Sequence, residues 1–111
     1  MSPEEPPLSP QALQDAAGMF GMLAATARLH IMWLLAQGER DVGTLAAETG
    51  QTVAAASQHL AKLKLAGLVL ARRDGRRQIY LAADPHIVEL VRLAFGPRAE
   101  PGSRTRGLRG A

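Results

Sequence analysis

The side chains with most chemistry to offer cluster between Thr52 and Arg77. The run RRDGRR sets Arg72, Arg73, Arg76 and Arg77 around one Asp74-Gly75 pair. Between Lys62 and Arg77 there are six basic residues and one acid, a density that suits a polyanion. Just upstream, TVAAASQHLAKLKLAG places Val53, Ala56, Leu60, Leu63 and Ala66 at helical spacing. Burying that stripe leaves Ala54, Ala55, Ser57, Gln58, His59 and Lys62 toward solvent. Such a face has the chemistry of a duplex reader. Small residues let the backbone approach a major groove, an alanine methyl can meet a thymine methyl, and Gln58 can pair bidentately with adenine. Ser57 and His59 can hydrogen-bond a base or a phosphate. Lys62, and Thr52 with the free amides of the helix it caps, can hold phosphates. The arginines would track the backbone or enter the flanking minor groove. Arg72 and Arg73 point to opposite faces of an alternating strand, so two or three contacts are expected. The plainer alternatives are a solvated cationic face, ordinary helix surface at Gln58 and Lys62, and a packing histidine at His59.

Other chemistries have less support. No Ser/His/Asp set, paired-carboxylate cleft or Gly-rich phosphate loop with its lysine is visible, so an enzyme is not expected. Cysteine is absent, which removes disulfides, thiolate metal sites and a thiol nucleophile. His30, His59 and His86 are isolated from one another, and His30 reads as a core or interface histidine.

The 111 residues suffice for one domain, and 47% hydrophobic with 4% aromatic composition points to a Leu, Val, Ala and Met core of helices. No window approaches the roughly 20 apolar residues of a membrane span, and the acidic, proline-rich MSPEEPPLSP is unlike a secretory signal. A cytoplasmic protein is expected. The net charge of +3 hides an asymmetry: residues 1–50 hold two basic against six acidic side chains, and residues 51–111 hold eleven against four.

The elements that must position the basic cluster follow from periodicity and punctuation. Residues 1–9 read as a disordered arm. Ser9-Pro10 opens a first helix whose apolar face is Leu13, Ala16, Ala17, Phe20 and Leu23. A second, TARLHIMWLLAQG, stops at Gly38, and a short third, VGTLAAETG, stops at Gly50. Thr52 caps the fourth. LVLARRD and RRQIYLA flank the turn Asp74-Gly75 as a hairpin, with a third loop residue as the alternative. A last helix after Asp84-Pro85 turns Ile87, Leu90, Val91 and Ala94 inward. Residues 96–111 read as a flexible basic tail. The order α-α-α-α-β-β-α is a mainly helical winged helix-turn-helix over residues 10–95.

Residues 56–82, ASQHLAKLKLAGLVLARRDGRRQIYLA, and less tightly LAATARLHIMWLL at 23–35, resemble the ArsR/SmtB family of winged-helix transcription regulators. The resemblance covers roughly residues 12–95. It implies a homodimer through the first and last helices, with Leu13, Phe20, Leu90, Leu93 and Phe95 as the candidate surface. It also implies binding of double-stranded DNA at an imperfect inverted repeat, with two recognition helices in successive major grooves.

Members that sense metals use two known sites. The Cys-x-Cys of one falls on Asp41 and Gly43 here, so that site is absent. The other needs Asp-x-His followed by two further ligands from the partner subunit. Asp84 and His86 match its first half, whereas Pro97 and Glu100 occupy the remaining positions. Glu100 folding back, or Glu89 one turn on, would complete a set suited to Ni(II), Co(II) or Zn(II). In relatives, a metal-bound histidine of this kind links to the recognition helix, a coupling of about 1–3 kcal/mol. The alternative is that Asp84 only caps the last helix and His86 is a surface or interface histidine. A different class of reading is also open: a winged-helix interaction module whose sensing comes from a partner protein.

Overall fold

A computed structural model of the protein describes residues 6–99. The chain runs α1 (Pro10–Leu23), α2 (Thr26–Leu35), β1 (Arg40–Asp41), α3 (Val42–Thr49), α4 (Val53–Leu65), β2 (Val69–Asp74), β3 (Arg77–Ala82) and α5 (Pro85–Phe95). This is the expected winged helix-turn-helix with one added strand. Gly96–Ala99 forms a single 3-10 turn where the tail was expected to start. Residues 1–5 of the expected arm, and the tail from Glu100 onward, lie outside the described residues.

Short polar side chains start most of the helices by taking amide protons that have no partner within the helix. Ser9 accepts from the Ala12 amide at 3.0 Å, Asp41 from Thr44 at 2.8 Å, and Thr52 from Ala55 at 3.0 Å. Asp84 accepts from the amides of both His86 and Ile87, at 2.7 and 3.1 Å. The stop between α3 and α4 is equally local. Gly50 adopts φ 68°, its amide donates to Ala47 and that of Gln51 to Ala46. This is the Schellman pattern, and it reverses the chain within two residues. A residue bearing a Cβ would be strained there, so the turn of the motif depends on that glycine.

The sheet has the order β1-β3-β2, all antiparallel. β1 was not expected, since two residues are too few to show strand periodicity. It pairs Arg40 with Tyr80 and Asp41 with Ile79. The hairpin turn also differs from expectation. Asp74 pairs with Arg77 and Arg73 with Gln78, which makes Gly75-Arg76 the two-residue loop. Gly75 has φ 66° and no non-glycine residue among those described has positive φ, the sign pattern of a type II′ turn. Charge accounts for the shift. A loop at Asp74-Gly75 would set Arg73 opposite Arg76 and Arg72 opposite Arg77, and like charges directly across a ladder are destabilising. The observed register pairs Arg77 with Asp74 instead.

The core joins Ile31, Met32 and Leu35 of α2 to Leu45, Leu60, Leu63, Leu68, Val69, Ile87 and Val91. Trp33 stacks obliquely on Phe95 with ring centroids 5.0 Å apart. The C-terminal end of α2 is closed by two arginines. Arg40 donates to the carbonyls of Leu34 and Gly38, and Arg92 of α5 donates to Ala36 at 2.9 Å. The helical stripes differ from expectation in places. Val53 is 52% exposed, and Ala66 and Ala94 face solvent. α1 meets α2 at 94° and buries only Leu23, so the rest of its expected apolar face is not part of this core.

Leu60 anchors α4 from the centre of the core and is fully buried. Leu60→Ala is therefore expected to lower stability by about 2–5 kcal/mol, read as a reduced midpoint in urea unfolding.

Candidate nucleic-acid interface

Burial of Ala56, Leu60 and Leu63 fixes the rotation of α4 about its axis. Ala54, Ser57, Gln58 and Lys62 consequently lie exposed on its outer face, with Thr52 at the exposed N-terminus. Ala55 and His59 are half-buried at the edge of that face. The ring of His59 turns one nitrogen inward: Nδ1 is buried and has no hydrogen-bond partner among the described residues. His59 is thus partly a packing residue, as the plainer reading has it, but no neighbouring carbonyl satisfies Nδ1.

On the wing the four arginines are exposed but unequal. Arg72 Nη2 donates to Glu39, and Arg77 Nε donates to Asp41 at 3.0 Å. Arg73 and Arg76 have no carboxylate partner among the described residues. Sequence reasoning passed over Glu39 and Asp41 as wing partners. The alternation ERD at 39–41, directly before a capped helix, was the available signal.

Asp41 binds several groups at once. The Thr44 amide, then the Thr44 hydroxyl, then the Arg77 guanidinium lower its pKa from 3.8 to about 2. Its carboxylate therefore stays charged through the ordinary pH range, at the start of α3 where the helix dipole favours a negative group.

The metal candidates form a sparser set. His86 Nδ1 lies 3.6 Å from Asp84 Oδ1, on an imidazole that is 98% exposed. That same Asp84 oxygen already caps α5 through two amides. Glu89 is exposed on α5, and Glu100 lies outside the described residues. Among the described residues, no three His, Asp or Glu side chains come together to hold a metal ion. Asp84 and His86 thus lie side by side, and the capping role of Asp84 is directly visible.

The candidate dimer surface falls in two groups. Leu13 and Phe20 of α1 and Leu93 of α5 are exposed by 54%, 54% and 70%. Leu90 and Phe95 are half-buried, the latter against Trp33. Phe20, Leu29, Leu90 and Ala94 line a shallow apolar groove between α1 and α5.

Residues 26–70 match the model of the bacterial regulatory protein, arsR family. The HTH-type transcriptional regulator Rv0081 of Mycobacterium tuberculosis is 43% identical over 79 residues, covering 70% of this chain and 69% of that protein. The HTH-type transcriptional regulator KmtR of the same organism is 42% identical over 73 residues, 66% of this chain. The chain spans 56% of the length of KmtR and 37% of that of another relative, the regulator Rv0324. Among solved structures, the homodimeric winged helix-turn-helix DNA-binding domain of Mb0332 from Mycobacterium bovis superposes with a TM-score of 0.73 at 39% identity. The match covers 84% of this chain and 86% of that one.

The depressed pKa of Asp41 has a measurable consequence. As pH falls from about 3.8 toward about 2, the unfolded chain takes up this proton before the folded one, so the carboxylate's contribution is lost across that window. Asp41→Asn keeps a capping oxygen but no charge. The stability advantage of the wild type over this variant is expected to hold above pH 4 or so and to shrink as pH approaches about 2, read by chemical denaturation.

Proposed function

The chain belongs to the arsR family of bacterial regulatory proteins, winged-helix transcriptional regulators, and from that premise we propose that it acts in the cytoplasm as a homodimer on an inverted-repeat operator. The observation that carries this reading is the outer face of α4. Ala54, Ser57, Gln58 and Lys62 are exposed together beside a cationic wing, and the same helix is anchored in the core through Leu60 and Leu63. A rigid helix presenting small and hydrogen-bonding residues suits the major groove, where Gln58 would pair with adenine and Ser57 with a base edge or phosphate. Lys62 and the amide-rich start of α4 at Thr52 would hold phosphates and set the register. His59, with Nδ1 turned inward, would offer only its outer nitrogen to the duplex.

Dimerisation is supported by the apolar side chains that α1 and α5 leave in solvent. Leu13, Phe20 and Leu93 contribute little to the core of one subunit, and the groove beside Leu90 is open. The similar Mb0332 domain is described as homodimeric. Two-fold symmetry would then set two α4 helices about one helical turn of DNA apart, roughly 34 Å. No described helix is long and apolar enough to cross a membrane.

A metal response is the finer part of the proposal. It rests on Asp84 and His86 at the start of α5, with further donors supplied across the subunit interface. A bound Ni(II), Co(II) or Zn(II) would supply a fixed positive charge linking the subunits. The second reading, a partner protein that supplies sensing, draws on Leu65, which is 91% exposed near the end of α4.

Two measurements test these readings. In a gel shift on the region upstream of its own gene, Gln58→Ala combined with Lys62→Ala is expected to weaken binding at least about tenfold, from one lost base contact and one lost phosphate contact. Undiminished binding would remove the assignment of α4. Calorimetry with Ni(II), Co(II) and Zn(II) is expected to show binding that His86→Ala abolishes, and identical isotherms would retire the metal site.

A further inference from the structure

The sheet sorts the four wing arginines into two kinds. In the register Arg72↔Ile79↔Asp41, with Asp74 opposite Arg77, the side chains of Arg72, Asp74, Arg77, Ile79 and Asp41 share one face. Arg73 and Gln78 share the other, and Arg76 stands in the turn at the apex. Both guanidinium groups on the first face meet a carboxylate from the segment ahead of α3. Arg77 reaches diagonally to Asp41, while Arg72 crosses the central strand to reach Glu39. On the second face and at the apex, Arg73 and Arg76 meet no carboxylate among the described residues.

This difference decides what each arginine can do for a polyanion. A guanidinium already matched to a carboxylate brings no net charge to a phosphate, so its contact releases few counterions. Trading the carboxylate for a phosphate would leave Glu39 or Asp41 uncompensated against the DNA. For Asp41 the trade is harder still, because its carboxylate also holds the first turn of α3. Arg73 and Arg76 carry no such obligation.

Resting on the DNA-binding reading, we propose that the wing presents two DNA-contacting arginines, Arg73 and Arg76, and that Arg72 and Arg77 are positioning residues. Through Glu39 and Asp41 they clip the hairpin to the strand that leads into α3, and so hold the wing at a set angle to the helix pair. The wing thus neutralises about half the phosphates that its arginine count implies.

The salt dependence of DNA binding distinguishes the two kinds. The probe is a duplex from the region upstream of the protein's own gene, titrated with full-length protein across a range of salt, with a random-sequence duplex as control. Arg73→Gln and Arg76→Gln are each expected to reduce the slope of log K against log salt by about 0.9 per lost phosphate contact in each bound wing. The charge-neutral pairs Glu39→Gln/Arg72→Gln and Asp41→Asn/Arg77→Gln are expected to leave the slope at the wild-type value while weakening binding several-fold at every salt concentration. Arg77→Lys, which keeps an ion pair with Asp41, is expected to recover most of that loss. A slope that falls as far in the neutral pairs as in the Arg73 and Arg76 variants overturns the proposal, as does an unchanged slope in Arg73→Gln and Arg76→Gln. If the wild type shows no salt-sensitive binding to either duplex, the DNA-binding reading fails and takes this inference with it.

Discussion

Asp41 ends a two-residue strand and begins a helix, and its carboxylate is divided between the two. It receives the Thr44 amide at the start of α3 and the Arg77 guanidinium from the wing, while its backbone pairs with Ile79 in the central strand. Moving any one of these elements strains the others. The α3–α4 unit and the hairpin therefore share a frame through one side chain whose charge persists because both partners favour it. A surface that reads a duplex needs such a frame, since a helix in one groove and a wing along the backbone must keep a fixed separation.

The energies involved divide the labour. Leu45, Leu60, Leu63 and Val69 are buried almost completely, and apolar burial of that kind supplies most of the stability. Exposed ion pairs such as Arg72–Glu39 are each worth only about 0–1 kcal/mol. Their contribution is orientation rather than stability. The same pairs also restrain the electrostatics, because they cancel charge on one face of the sheet and leave it on the other. α1 is the least covered helix: only Leu23 is buried, with Met19 and Met22 packed half-buried against the core.

Much of the molecule was legible because the responsible interactions are local. Ser9, Thr52 and Asp84 act within three residues of themselves, and the Gly50-Gln51 turn closes α3 on the carbonyls of Ala47 and Ala46, three and four residues before Gly50. The stripe Ala56, Leu60 and Leu63 is set by helical period alone, which is why the outward set around Gln58 could be named in advance. Three features escaped. β1 was too short to carry a pattern. The hairpin loop moved by one residue because cross-strand charge outweighed the Asp-Gly signal. The carboxylate partners of Arg72 and Arg77 also escaped, because Glu39 and Asp41 lie more than thirty residues earlier in the chain and return beside them only in the fold.

Sequence order and composition were enough to determine the types of the five helices and the hairpin, the helix caps, the buried stripe of α4 and the likeness to a regulator family, since each depends on neighbours a few positions apart. Tertiary structure alone decided which charges survive at the surface, which nitrogen of His59 is turned inward, and how little of α1 is covered. Those outcomes depend on what the chain brings back from a distance, and charge or exposure at a site is a sum over spatial neighbours that linear spacing does not contain.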